Sequence, residues 1–184
     1  MALTTLDIKE PGLNVLPPGV ERHVIVAGGL TGVQIFPDDE IEIINDEGNQ
    51  VCEITCFNKD GKYDLGILNL KENAKASFIK KILNNNDESS LITNYQLKKR
   101  NLNVNTSKSS IVFDEDTPSG EKLKLKSKDK CYAIFSAPNN EMLISDQNPS
   151  GDLTLFIKRA KIKNDKELTI IPDPMYEPNY EKNI

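Results

Sequence analysis

A chain of 184 residues, 38% hydrophobic and 28% charged, holds enough apolar material for one good core and has the balance of a soluble domain. No apolar run approaches the ~20 residues that a bilayer span needs, and the opening MALTTLDIKEPG lacks the basic-then-apolar order of a secretory signal. The expected location is cytoplasmic, with no membrane partner. A net charge of −5, dispersed lysines and no tryptophan argue against nucleic acid, whose groove calls for a basic stripe with interleaved aromatics.

Residues 1–20 contain Pro11, Gly12, Pro17, Pro18 and Gly19 and read as an extended arm. A single β-rich domain is expected over 21–171. Its first strands are 21–26 (ERHVIV) and 31–36 (TGVQIF), rich in β-branched residues. Gly28-Gly29 between them reads as a hairpin turn, since no Gly-Lys-Ser/Thr follows to make a phosphate loop. The next strands, 40–45 (EIEIIN) and 50–57 (QVCEITCF), are expected to pair as a hairpin through Asp46-Glu47-Gly48-Asn49, where Gly48 suits a left-handed turn position. Alternation puts Cys52, Ile54 and Cys56 on one face of the fourth strand and Val51, Glu53, Thr55 and Phe57 on the other. Glu53 is the residue least suited to such surroundings.

The periodicity then changes. Residues 72–83 (ENAKASFIKKIL) carry Ala74, Phe78, Ile79, Ile82 and Leu83 at helical spacing, and Ser89 or Ser90 is placed to cap a second helix ending near Lys99. This helical insert, about 72–100, divides two β regions. The second contains strands at 110–113, 122–126, 130–136, 153–159 and 167–171, and Lys-Leu-Lys-Leu-Lys over 122–126 reads as a strand with a solvated lysine face. Three prolines within 172–178 cannot sit inside a sheet, so 172–184 reads as a tail or interdomain linker. The fold expected is mainly β (α+β), a distorted β-sandwich or partly closed barrel with a short helical insert.

Few side chains are positioned for chemistry. His23 is the sole histidine, and no Gly-x-Ser-x-Gly elbow accompanies it. Cys52 and Cys56 lie ~13 Å apart along an extended strand, too far to chelate one zinc. Cys131 is isolated in sequence, so the three cysteines read as reduced, buried small hydrophobes. Asp38-Asp39-Glu40 and Asp114-Glu115-Asp116 read as solvated turns without an EF-hand frame. Asp46 and Glu53 flank the 46–49 turn as a possible carboxylate pair whose separation the sequence leaves open. No catalytic residue and no metal set are assigned.

Residues 21–57, with Ile43-Ile44-Asn45-Asp46-Glu47-Gly48-Asn49-Gln50 at their centre, resemble the opening of the urea-carboxylase-associated protein family. That family shares an Asp-x-x-Gly-Asn-Gln-like turn followed by an acidic residue, usually aspartate, where this chain has Glu53. The stretches FDEDTPSG (113–120), YAIFSAPNNEM (132–142) and QNPSGD (147–152), with 155–159, resemble the amino-terminal module of long aminomethyltransferase-like proteins. There, related β modules precede a folate-binding domain similar to the T-protein of glycine cleavage, and IPDPMYEP (171–178) looks like the linker to the next module. A downstream cysteine cluster of zinc-binding members has no counterpart, and the folate-binding region is missing.

The resemblance implies a non-catalytic accessory module of a folate-dependent aminomethyltransferase or demethylase in one-carbon metabolism. Its partner would be a T-protein-like domain or subunit, and tetrahydrofolate would reside in that partner rather than in this chain. Asp46, Asn49, Gln50 and Glu53 are the candidate ligand-binding residues. The rival reading is a small metal-dependent hydrolase or deiminase acting on a urea- or guanidine-like substrate, with those four residues around an ion and His23 or a cysteine as a further ligand.

Overall fold

The computed structural model describes residues 16–139 and 150–161. Eight strands are present: β1 Val20–Ile25, β2 Gly29–Ile35, β3 Glu40–Asn45, β4 Cys52–Asn58, β5 Ser110–Phe113, β6 Glu121–Lys126, β7 Cys131–Ala137 and β8 Leu153–Lys158. Two helices, α1 Ser77–Leu83 and α2 Glu88–Lys99, lie between β4 and β5. The strands form two antiparallel four-stranded sheets, ordered β1-β8-β3-β6 and β2-β7-β4-β5. This is a sandwich, as expected, and not a closed barrel. The expected strand at 167–171 and the proline-rich segment 172–184 lie outside the described residues, as does most of the N-terminal arm.

Pairing differs from the expected hairpins. β1 pairs with β8, β2 with β7, β3 with β6 and β4 with β5, all antiparallel. The first half of the chain is therefore laid against the second half as one long double ribbon. β3 with β8 and β4 with β7 then close the ribbon into the roll, the eight-stranded jelly-roll topology. The turns at 26–29 and 46–51 do not close hairpins; each carries the chain from one sheet to the other. The helical insert occupies the tip of the ribbon, between β4 and β5, where extra residues disturb no pairing.

Two cores result. Between the sheets, Ile25, Ile35, Ile43, Ile54, Phe135 and Leu155 pack with little exposure, so side chains fill the sandwich interior. On the outer face of the second sheet, Leu30, Phe57, Tyr132 and Ile134 meet Ile79, Ile82 and Leu83 of α1 and Leu97 of α2. Strands β4 and β7, covered on both faces, are buried along nearly their whole length. At Gly32 an added Cβ would lie 2.0 Å from the Tyr132 hydroxyl, so only glycine lets the tyrosine lie across β2.

The first helix starts later than its periodicity predicts, because residues 73 and 74 are claimed by the sheet. Asn73 and Ala74 donate backbone N–H groups to the Ser109 carbonyl, and Ser109 N–H returns a bond to Ala74. The Asn73 side chain completes the exchange with both backbone groups of Ile111, at 2.7 and 3.0 Å. The second helix is capped by Asp87 rather than by Ser89 or Ser90: its carboxylate accepts from Ser90 N–H at 2.9 Å.

Candidate functional site

The four candidate residues follow from β3, whose inward side chains are Ile41, Ile43 and Asn45. Asn45 is fully buried and donates through Nδ2 to the Gln50 carbonyl at 2.8 Å, pinning the loop that leaves the sheet. Gln50, also fully buried, reaches into the connection between β7 and β8. Its amide donates to the carbonyls of Pro138 at 2.8 Å and Val51 at 2.9 Å, and its oxygen accepts from Gly151 N–H at 3.0 Å. Asn49 has a left-handed backbone (φ 57°) and donates its N–H to the Thr117 carbonyl at 2.7 Å. Asp46 is exposed, and its carboxylate accepts from Thr154 Oγ1 at 2.6 Å. These residues knit three connections together at one end of the sandwich.

Gly48 holds the centre of that knot. Its φ is +79°, and a Cβ there would come within 2.6 Å of the Ser119 backbone nitrogen. Strain and clash act together, so Gly48→Ala is expected to lower stability by about 2 kcal/mol, read as a lower urea midpoint at unchanged slope.

Glu53 belongs to a different place. It projects from the outer face of the second sheet, beneath α1, and is fully buried. Ala76, which precedes the helix, has a left-handed backbone and no side-chain cap. Glu53 supplies the missing acceptor: Oε2 receives Ile79 N–H at 2.8 Å, and Oε1 receives the Ser109 hydroxyl at 2.6 Å. Ser109 Oγ in turn accepts from Ala76 N–H at 2.7 Å. Its carboxylate is thus the cap of a helix that starts 24 residues later in sequence, counting from 53 to 77.

Asp46 and Glu53 consequently do not form a pair. Thr154, which bonds Asp46, points to the outside of the first sheet, whereas Glu53 faces the helices outside the second. Two sheets packed ~10 Å apart separate them. The structure brings together Asp46, Asn49 and Gln50 but leaves Glu53 apart, and it gathers neither His23 nor a cysteine beside them. Among the described residues no group of three or more His, Cys, Asp or Glu side chains is arranged to hold a metal ion.

His23, at the middle of β1 opposite Leu155, contacts the edge of a charged cluster that lies at the opposite end of the sandwich and that sequence reasoning missed. Arg159 grips Glu21 with two bonds, Nε to Oε1 at 2.7 Å and Nη2 to Oε2 at 2.8 Å. Through Nη1 it also bonds Asp39 at 2.6 Å and the Gln34 carbonyl at 2.9 Å. His23 Nε2 adds a 3.3 Å contact to Glu21. Asp39, expected in a solvated turn, is 1% exposed and also accepts from the N–H groups of Phe36 and Ala160 at 3.0 Å each. Burial pushes the Glu21 carboxyl up, but the bonds from His23 and Arg159 outweigh it and hold the group below its ordinary value. The cluster fastens the end of β8 to β1 and to the β2–β3 corner.

The cysteines are buried in the inter-sheet core, as expected of small hydrophobes, with Cys52 and Cys56 on one face of β4. Cys131 is not isolated in space. The β4–β7 register sets it diagonal to Cys56, whose thiol donates to the Asp64 carbonyl at 2.8 Å. Contact with the Cys131 thiol and burial raise the Cys56 thiol well above the ordinary range, and burial raises Cys52 likewise, with the neighbouring Glu53 adding to it. Native protein is expected to leave all three unmodified by a thiol-reactive disulfide such as dithionitrobenzoate, and to titrate three equivalents after unfolding.

The chain is similar to the trimethylamine-oxide aldolase of Ruegeria pomeroyi, with 30% identity over 171 residues covering 93% of this chain and 22% of that protein. It therefore corresponds to a domain related to one part of that longer protein, spanning about a fifth of its length. No family model matches the sequence. Among the described residues no helix is long and apolar enough to cross a membrane.

Proposed function

We propose that this chain is a non-catalytic β module of the urea-carboxylase-associated type, acting in the cytoplasm by docking on a folate-dependent aminomethyltransferase or demethylase domain. One observation carries the reading: nearly the whole chain matches only 22% of a trimethylamine-oxide aldolase. The fate of the candidate polar groups supports it. Gln50 and Glu53 spend their hydrogen-bonding capacity inside the fold, and Asp46 and Asn49 hold a loop, so these groups converge on no shared ligand position. Tetrahydrofolate, on this reading, is held by the partner.

Mixing the purified chain with the T-protein-like aminomethyltransferase of the same genome should give a joint peak in size-exclusion chromatography. Separate elution at micromolar concentrations would remove the proposal. Metal analysis of the purified chain tests the hydrolase alternative, because stoichiometric zinc or manganese would favour it.

A further inference from the structure

Polarity is inverted along α2. Its buried positions are Ser90, Thr93, Gln96 and Leu97, three of them polar. Two of these polar side chains are used locally: Ser90 Oγ donates to the Ile82 carbonyl at 2.6 Å, and Gln96 Oε1 accepts from Arg100. The outward ridge is apolar instead. Leu91 and Tyr95 are 57% and 55% exposed, and Ile92 beside them is half-buried. A surface helix ordinarily turns its apolar stripe to the core and its polar side to water. A single exposed leucine needs no explanation, but residues at i and i+4 are neighbours on a helix, so these side chains form one continuous strip.

The charges at the two ends of the strip define what fits it. Glu88 stands one turn before Leu91, and Lys98 one turn after Tyr95, both exposed. Neither has an ion-pair partner among the described residues. Along the ridge the order is acidic, apolar, apolar, basic, at spacings of three, four and three residues, which is its own complement when reversed. A second α2 laid antiparallel, with a two-fold axis at the level of Thr93, sets each Leu91 against Tyr95 of the other copy. The same operation sets each Glu88 against Lys98 of the other copy and opposes the two helix dipoles. A parallel arrangement would instead bring like charges together. We infer that the outward ridge of α2 is a two-fold contact between two copies of this chain, packed antiparallel. A contact limited to one 12-residue helix on each side belongs to the small interfaces, under about 1,200 Å², so a reversible dimer with dissociation on the order of tens of micromolar is expected. Such a contact is independent of docking on another domain.

Sedimentation equilibrium of the full chain between about 5 and 500 μM should show a reversible monomer–dimer transition. Leu91→Glu/Tyr95→Glu should hold the chain monomeric throughout. Glu88→Lys and Lys98→Glu, made singly, place like charges opposite each other and should each weaken dimerisation by about tenfold or more. The double variant Glu88→Lys/Lys98→Glu rebuilds both pairs with their signs exchanged and should recover the parental dissociation constant to within about threefold. An equimolar mixture of the two single variants should form a heterodimer in preference to either homodimer. Circular dichroism melts at low concentration establish that each variant is folded. A parent chain that stays monomeric to about 500 μM would overturn the inference and leave the ridge to a different occupant. A dimer insensitive to the ridge variants, or a double reversal as weak as the single ones, would overturn it too.

Discussion

Glu53→Ala is expected to lower the stability of the domain by about 4 kcal/mol, because two buried donors lose their acceptor at once. Ile79 N–H and the Ser109 hydroxyl are both satisfied only by this carboxylate among the described residues. Glu53→Gln keeps the shape and one acceptor. The amide oxygen can receive Ile79 N–H, but the amide nitrogen then faces Ser109 Oγ, whose own proton loses its acceptor. About 1–2 kcal/mol should be lost. Urea titration of the two variants supplies the ranking, and hydrogen exchange locates it, since the amides at the start of α1 should lose protection first. Equal stability of Glu53→Ala and the parent would mean that the cap is not what holds α1 to the sheet.

Arg159→Leu should produce the second large effect, a loss of about 3 kcal/mol. The guanidinium neutralises Asp39, which is 1% exposed, and removing it strands that carboxylate in the interior. Glu21, at 39% exposed, is partly rescued by solvent, which keeps the expected loss at the lower end of the range for broken buried pairs. The acid dependence has a definite sign. A carboxyl held below its ordinary value in the folded state stabilises above that ordinary value, about pH 4.5, and the contribution is lost as pH falls through the folded value. The gap between parent and Arg159→Leu should therefore be widest near neutrality and narrow below about pH 4.5. Thermal melts across that window measure it.

Strand positions were legible in the sequence, partners were not. Alternation in 122–126 pointed Leu123 and Leu125 inward and the lysines outward, as the structure has them. The left-handed requirement at Gly48 marked a turn correctly, but a turn that closes a hairpin and one that crosses between sheets use the same backbone chemistry. Burial of both faces of β4 depends on helices that begin 19 and 30 residues after it ends, counting from 58 to 77 and to 88, so no local pattern announces it. Glu53 was conspicuous as a carboxylate among apolar neighbours, and that discomfort was real. Its resolution lay with Ile79 and Ser109, remote in sequence, which turned a candidate ligand into a helix cap. Asp39 looked like one of three acidic residues in a turn, and only the arrival of Arg159 at the end of β8 gives it a buried role. Candidate-site residues were thus recognisable as unusual, while the reason for each was tertiary.

Laying the first half of the chain against the second has a consequence during synthesis. Val20 finds its partner Lys158 only after 138 further residues have been made, counting from 20 to 158. Until then β1 leaves the ribosome without its partner, and among the described strands the pairing completed earliest is that of the central piece, β4 through α2 to β5. Long-range pairing of this kind is slow and exposes unpaired strands to other chains. The nascent protein should therefore depend on holding factors for most of its translation, and gain protection from proteolysis abruptly once β8 emerges.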